Sequence, residues 1–185
     1  SEVDELVEKI RTTVKRVLEK HKRNTDETRR LVEEILERHT RTSRRIERVV
    51  REATDKLRRR KTEEVKKDLD RLLKELREEV EELKRRTTEI LKRSRESSDR
   101  VRRESEEILD RLRKDVEDLR RKRKDVTEML EKLREVLERA AEVLKRAEES
   151  DRTVDEEVER RVREVARSDD EVLKEVKREV ERVKT

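Results

Sequence analysis

Apolar residues at Val3, Val7, Ile10, Val14 and Val17 fall on one face of a helix, and the spacing persists nearly to the end of the chain. An α-helix turns about 100° per residue, so about 18 residues close five turns and return to the same direction. Val3, His21, His39 and Leu57 stand 18 residues apart and share that direction. A second stripe runs from Val65 to Leu119 through Leu69, Leu76, Val80, Leu83, Ile90, Val101, Ile108, Leu112 and Val116. A third runs from Val126 to Val183 through Leu133, Leu137, Leu144, Val154, Val158, Val165, Val172, Val176 and Val180. A left-handed coiled coil needs a period of about 3.5, whereas about 3.6 gives nearly straight, untwisted helices.

Nothing in the composition interrupts such helices. The 185 residues include no Gly, Pro, Cys, Trp, Tyr or Phe, where ordinary usage would supply roughly twenty Gly and Pro together. Type II, I′ and II′ turns therefore lack their favoured residues, and sheets are poorly supported. The absence of aromatics removes stacking platforms for single-stranded nucleic acid. The absence of cysteine removes disulfides, thiolate metal sites and thiol catalysis. Charged residues make up 59% of the chain, and 57 basic against 52 acidic side chains leave a net charge of +5. Interspersed signs favour solubility over steering towards DNA or an anionic membrane. No segment approaches the ~18 apolar residues of a membrane span, and the N-terminus has no signal-peptide core. The chain is expected to be soluble and, if made in a cell, cytosolic. Disordered chains and isolated charge-paired helices share this charge content. Neither needs an apolar stripe, which favours a packed bundle.

Two places break the stripe. LRRRKTEEV (57–65) ends one helix with basic residues and offers Thr62 as a cap before Glu63 and Glu64. RRKRKDVTEML (120–130) repeats the pattern, with Asp125 three residues before Glu128. Basic C-termini and acidic N-termini complement the helix dipole, and Thr or Asp satisfies free amides. Ser1 with Asp4 provides a similar start. Three helices follow, about 2–60, 63–122 and 126–184, each roughly 85–90 Å at ~1.5 Å per residue. NTDE (24–27), TVDE (153–156) and SDDE (168–171) also resemble capping boxes, which would cut the chain into shorter helices. The stripe keeps its phase through all three, so uninterrupted helices are the expectation. Short turns then make residues 1–185 a single all-α domain, a long up-down-up three-helix bundle.

Polar residues interrupt each stripe at matched places. Helix 1 carries His21 and His39, helix 2 carries Thr87 and Ser105, and helix 3 carries Asp151 and Asp169, each pair 18 apart. Counting heights from the turns sets His21 level with Ser105 and Asp151. It likewise sets His39 level with Thr87 and Asp169. The two layers are about 27 Å apart at ~1.5 Å rise. Thr28 and Ser98 form a smaller polar level between them, and Asn24, Thr88, Ser94 and Ser97 either extend these groups or edge the stripe. Met129 reads as core filler, and Ala140, Ala141 and Ala147 as a closer helix approach.

Asp, His and Ser together suggest a hydrolase, since Asp can orient His and His can activate Ser. A structural role is favoured. No Gly-rich oxyanion loop accompanies the three residues, and one copy has Thr for Ser. A satisfied buried polar layer penalises every wrong register, which a repetitive aliphatic core needs. Two histidines so far apart cannot share one ion, and His, Asp and Ser make a poor zinc shell. No cofactor or metal is expected. Buried neutral histidines would have lowered pKa values, and histidines charged and paired with Asp would have raised ones. The basic runs Arg58 to Lys61 and Arg120 to Lys124 read as helix C-terminal charge rather than nucleic-acid sites.

The stripe, surfaces such as EELKRR and ERRVREV, capped starts such as SEVDEL and KDVTEM, and the repeated polar layers carry a resemblance. The whole chain resembles computationally designed, parametrically generated helical bundles with buried hydrogen-bond networks. The resemblance implies an idealised, very stable scaffold with no natural substrate and no required partner. Some members of that family are symmetric oligomers with networks between chains, so a homo-oligomer is the alternative, and a designed histidine site comes third. Such designs commonly use Gly in loops, and this chain has none.

Overall fold

The computed structural model describes residues 1–60, 62–123 and 127–185. It contains three helices: α1 (Glu2–Arg59), α2 (Glu63–Lys122) and α3 (Thr127–Lys184). They hold 58, 60 and 58 residues, and no strand occurs among the described residues. NTDE, TVDE and SDDE all lie inside continuous helix. Without Gly or Pro, those capping-type side chains have no backbone break to cap.

The helix ends follow local chemistry. The Ser1 hydroxyl accepts from the Asp4 amide at 3.3 Å and donates to the Asp4 carboxylate at 2.9 Å. The Thr62 hydroxyl accepts from the Val65 amide at 3.3 Å, satisfying one free donor at the start of α2. Acidic Glu63 and Glu64 open α2, and Arg120, Arg121 and Lys122 close it, in the sense the helix dipole favours. Helix α1 stops at Arg59, one residue short of expectation. Lys61, Lys124, the expected cap Asp125 and the expected stripe residue Val126 lie outside the described residues.

The chain forms two compact units. The first contains residues 1–28 and 92–156, and its helices run up, down and up. Lys9 pairs with Asp115 at 3.2 Å and Lys20 with Glu104 at 2.6 Å, so rising positions on α1 meet falling positions on α2. Arg134 of α3 reaches Glu117 of α2 at 2.9 Å. Its core gathers Ile10, Val17, Leu112, Val116, Leu133 and Leu144 with their neighbours. The second unit contains residues 29–91 and 157–185. Arg29 meets Glu157 at 3.8 Å and Arg58 meets Glu179 at 2.8 Å, so α1 and α3 run parallel there too. Its core is built on Ile46, Val50, Leu57, Leu69, Leu76 and Val180.

Met129 corrects one expectation. It is 53% exposed, while Leu130 and Leu133 are buried. A residue one place before Leu130 points about 100° away, so Met129 lies on the outer face. Leu133→Ala should therefore cost about 2–5 kcal/mol, whereas Met129→Ala should stay within about 0.5 kcal/mol of the parent. Guanidinium denaturation of both variants measures the difference.

Candidate functional site

Residues of the buried stripe on α1 determine which polar groups enter the interior. His21, Thr28, His39 and Thr54 are buried, as are the apolar α1 residues Ile10, Val17, Val32, Leu36, Ile46 and Val50. Each polar group taken from water needs a partner, because an unfilled buried donor or acceptor costs about 1–3 kcal/mol.

In the first unit, His21 Nδ1 donates to Asp151 Oδ2, joining α1 to α3. Their side chains are only 4% and 5% exposed. His21 Nε2 is buried and has no hydrogen-bond partner. Ser105 is also buried, but it does not bond that free nitrogen. A second polar group surrounds Asn24. Its Nδ2 donates to Ser98 Oγ at 2.9 Å and to the Ser94 carbonyl at 3.3 Å. The Ser94 hydroxyl in turn donates to Asp155 Oδ1 at 2.9 Å. Thr28 donates to the Asn24 carbonyl of its own helix at 2.9 Å, so the α1 group bonded to Ser98 is Asn24.

In the second unit, His39 Nε2 donates to Asp169 Oδ2, again joining α1 to α3. His39 Nδ1 lies 3.4 Å from Glu79 Oε1 of α2, an ion-pair distance without hydrogen-bond alignment. Thr87 is buried, but its hydroxyl donates to the Leu83 and Lys84 carbonyls at 2.7 and 3.1 Å. The α2 group facing His39 is thus Glu79. This cluster reaches solvent, since Asp169 is 20% and Glu79 25% exposed.

The electrostatics of His39 follow from these neighbours. Burial alone would lower its pKa, but the Asp169 hydrogen bond and charge, joined by the Glu79 charge, raise it above the ordinary 6.5. In the first unit, Glu148 lines a cleft of about 310 Å³ together with Ser98, Arg102, Asp151 and Asp155. Burial, the largest influence, pushes its carboxyl above 4.5 despite the nearby Arg102.

Asp155, Thr54 and Glu79 were not among the residues singled out from sequence. Asp155 follows Asp151 by four residues and so shares its face, a signal hidden by the capping-box pattern TVDE. Glu79 sits in the charged run EEVEEL and reads as surface.

The arrangement supports hydrogen bonding and ion pairing between helices. Neither layer contains a hydroxyl bonded to imidazole, the contact a serine nucleophile needs for activation. Among the described residues, no group of three or more His, Cys, Asp or Glu side chains is placed to hold a metal ion. None of the helices is long and apolar enough to cross a membrane, within the same residues.

No protein-family model matches the chain, and no curated protein matches it. Among solved structures, the chain is similar to a computationally designed three-helix bundle, at 13% identity and a TM-score of 0.45. That similarity covers 98% of this chain and 84% of the other.

His39 carries a pH dependence of definite sign. With its folded pKa raised, its stabilisation is fully present below about pH 6.5 and fades as pH climbs through the raised value. NMR titration should place the His39 imidazole above 6.5, and His39→Gln should flatten the loss of stability above neutrality. A His39 pKa below 6.5 would contradict the pairing.

Proposed function

We propose that the chain is a designed structural scaffold without a natural substrate, a single helical domain over residues 1–185 whose buried polar pairs specify helix register. One observation carries the reading. His21 with Asp151 and His39 with Asp169 join the same two helices with the same 130-residue separation. The two copies also stand 18 residues apart on each helix. A repeated polar layer of this kind does what an aliphatic repeat cannot do, which is to distinguish one helical turn from the next. The composition supports the same reading, because a chain without Gly has no Gly-rich loop to cradle an oxyanion.

A homo-oligomer with the layers between chains has less support. His21 and Asp151 find each other within one chain and are sealed there, so that layer needs no second copy. Catalysis has less again, because Ser105 is buried and Thr87 donates to its own helix. We assign no substrate, metal or cofactor to either layer.

Removing one partner and removing both should have opposite consequences. Asp151→Leu alone strands His21 and should cost about 1–3 kcal/mol. The double change His21→Leu with Asp151→Leu should leave stability equal to the parent or raise it, because replacing both partners of a buried hydrogen bond by apolar groups can be neutral or stabilising. Denaturant melts of the three proteins decide. An esterase activity that disappears with His21→Leu would overturn the scaffold reading.

A further inference from the structure

A shallow groove of about 520 Å³ runs between α1 and α3 within the first unit. Its volume lies within the ~300–1,000 Å³ typical of small-ligand sites. Ile10, Val14, Leu18, Val136, Ala140 and Val143 form its floor. Val143 is 38% exposed, one of the few large apolar side chains that open to solvent. The rim is basic: Arg11, Lys15, Lys22 and Arg139 line it against one carboxylate, Glu19. Arg11 is partly engaged by Glu8 at 3.4 Å. Lys15, Lys22 and Arg139 make no ion pair among the described residues. Nearby cations do find acids, as Lys9 does in Asp115 and Lys20 in Glu104.

We propose that this groove binds an amphiphilic anion, an alkyl chain bearing a carboxylate or sulfate. The floor offers apolar contact along about 12 Å of α1, from Ile10 to Leu18 at ~1.5 Å per residue. The tail removes the floor from water, and each buried methylene adds to affinity. The rim supplies charge at both ends, with Arg11 and Lys15 near the start of the groove and Lys22 near its end. Lysine and arginine stems lie along apolar surface while their charged ends stay wet, so they can follow a headgroup without desolvation. A second copy of the chain is a poorer occupant. A two-fold contact through this face would set the basic rim against itself, and like charges across an interface oppose association.

Dodecanoate, held below its micellar concentration at low salt, is the probe. Dodecyltrimethylammonium, with the same tail and the opposite charge, is the control. Methyl NMR should show dodecanoate shifting Val14, Leu18, Val136 and Val143, with affinity at least about fivefold above the cationic analogue, since opposite charges attract at low screening. Lys15→Glu with Lys22→Glu should weaken dodecanoate about tenfold and favour the cation instead. Val143→Glu, at an exposed position that the fold should tolerate, should weaken both probes, whereas Val143→Lys should weaken the cation more than the anion. Equal binding of the two headgroups, or shifts confined to other parts of the chain, would overturn the proposal. So would a concentration-dependent doubling of mass that Val143→Glu abolishes, because the occupant would then be a second copy.

Discussion

An aliphatic core that repeats at every helical turn has nearly the same energy after one helix slides past another by a turn. Leucine, valine and isoleucine supply most of the drive to collapse through non-directional burial, and they supply little discrimination between registers. Hydrogen-bonded polar groups behave differently. When His21 meets Asp151, a slip of one turn would leave both buried and unsatisfied, at about 1–3 kcal/mol for each group. On the proposed reading, the pair would convert a weak preference into a strong one. On that reading its energetic role would lie in the penalty on every alternative more than in the net stability of the native arrangement.

The rest of the molecule is consistent with that division of labour. The helices are long because nothing in the sequence stops them, and their ends are marked by Ser1, Thr62 and terminal charges of the favourable sign. Surface pairs such as Arg30 with Glu34 and Arg51 with Glu47 follow the i,i+4 pattern. Such exposed pairs contribute about 0–1 kcal/mol each, so they support the helices without deciding the fold. The two histidines differ in environment. His21 and Asp151 are sealed, whereas Asp169 and Glu79 bring the His39 cluster to solvent and give it a pH dependence.

The helices were legible in the sequence because a stripe with a period of about 3.6 over nearly sixty residues has one structural solution. Index arithmetic also set His21 against Asp151 and His39 against Asp169. Those contacts run between parallel helices, where separation along the chain is constant. Hydroxyls are harder to place from height. Height alone does not say whether Thr87 turns outward to a neighbour or donates to its own Leu83 carbonyl, and short side chains in helices often do the latter. Glu79 escapes for the opposite reason, since it reaches His39 from a position that looks like surface. Asn24, legible as an extension of the polar level or an edge of the stripe, is the group that reaches Ser98. Met129 shows that a single residue of phase, about 100° on the wheel, separates core from solvent.

Register itself is the quantity to measure. The chain has no cysteine, so spin labels can be placed cleanly at exposed Glu19 on α1 and Glu149 on α3, through Glu19→Cys and Glu149→Cys. In the parent background, pulsed electron paramagnetic resonance should give one narrow distance. With His21 and Asp151 both replaced by Leu, the account predicts a broadened or multiple distribution, with components displaced by about one helical turn, ~5.4 Å. A single narrow distance, unchanged after that replacement, would contradict the claim that the buried pair sets the register.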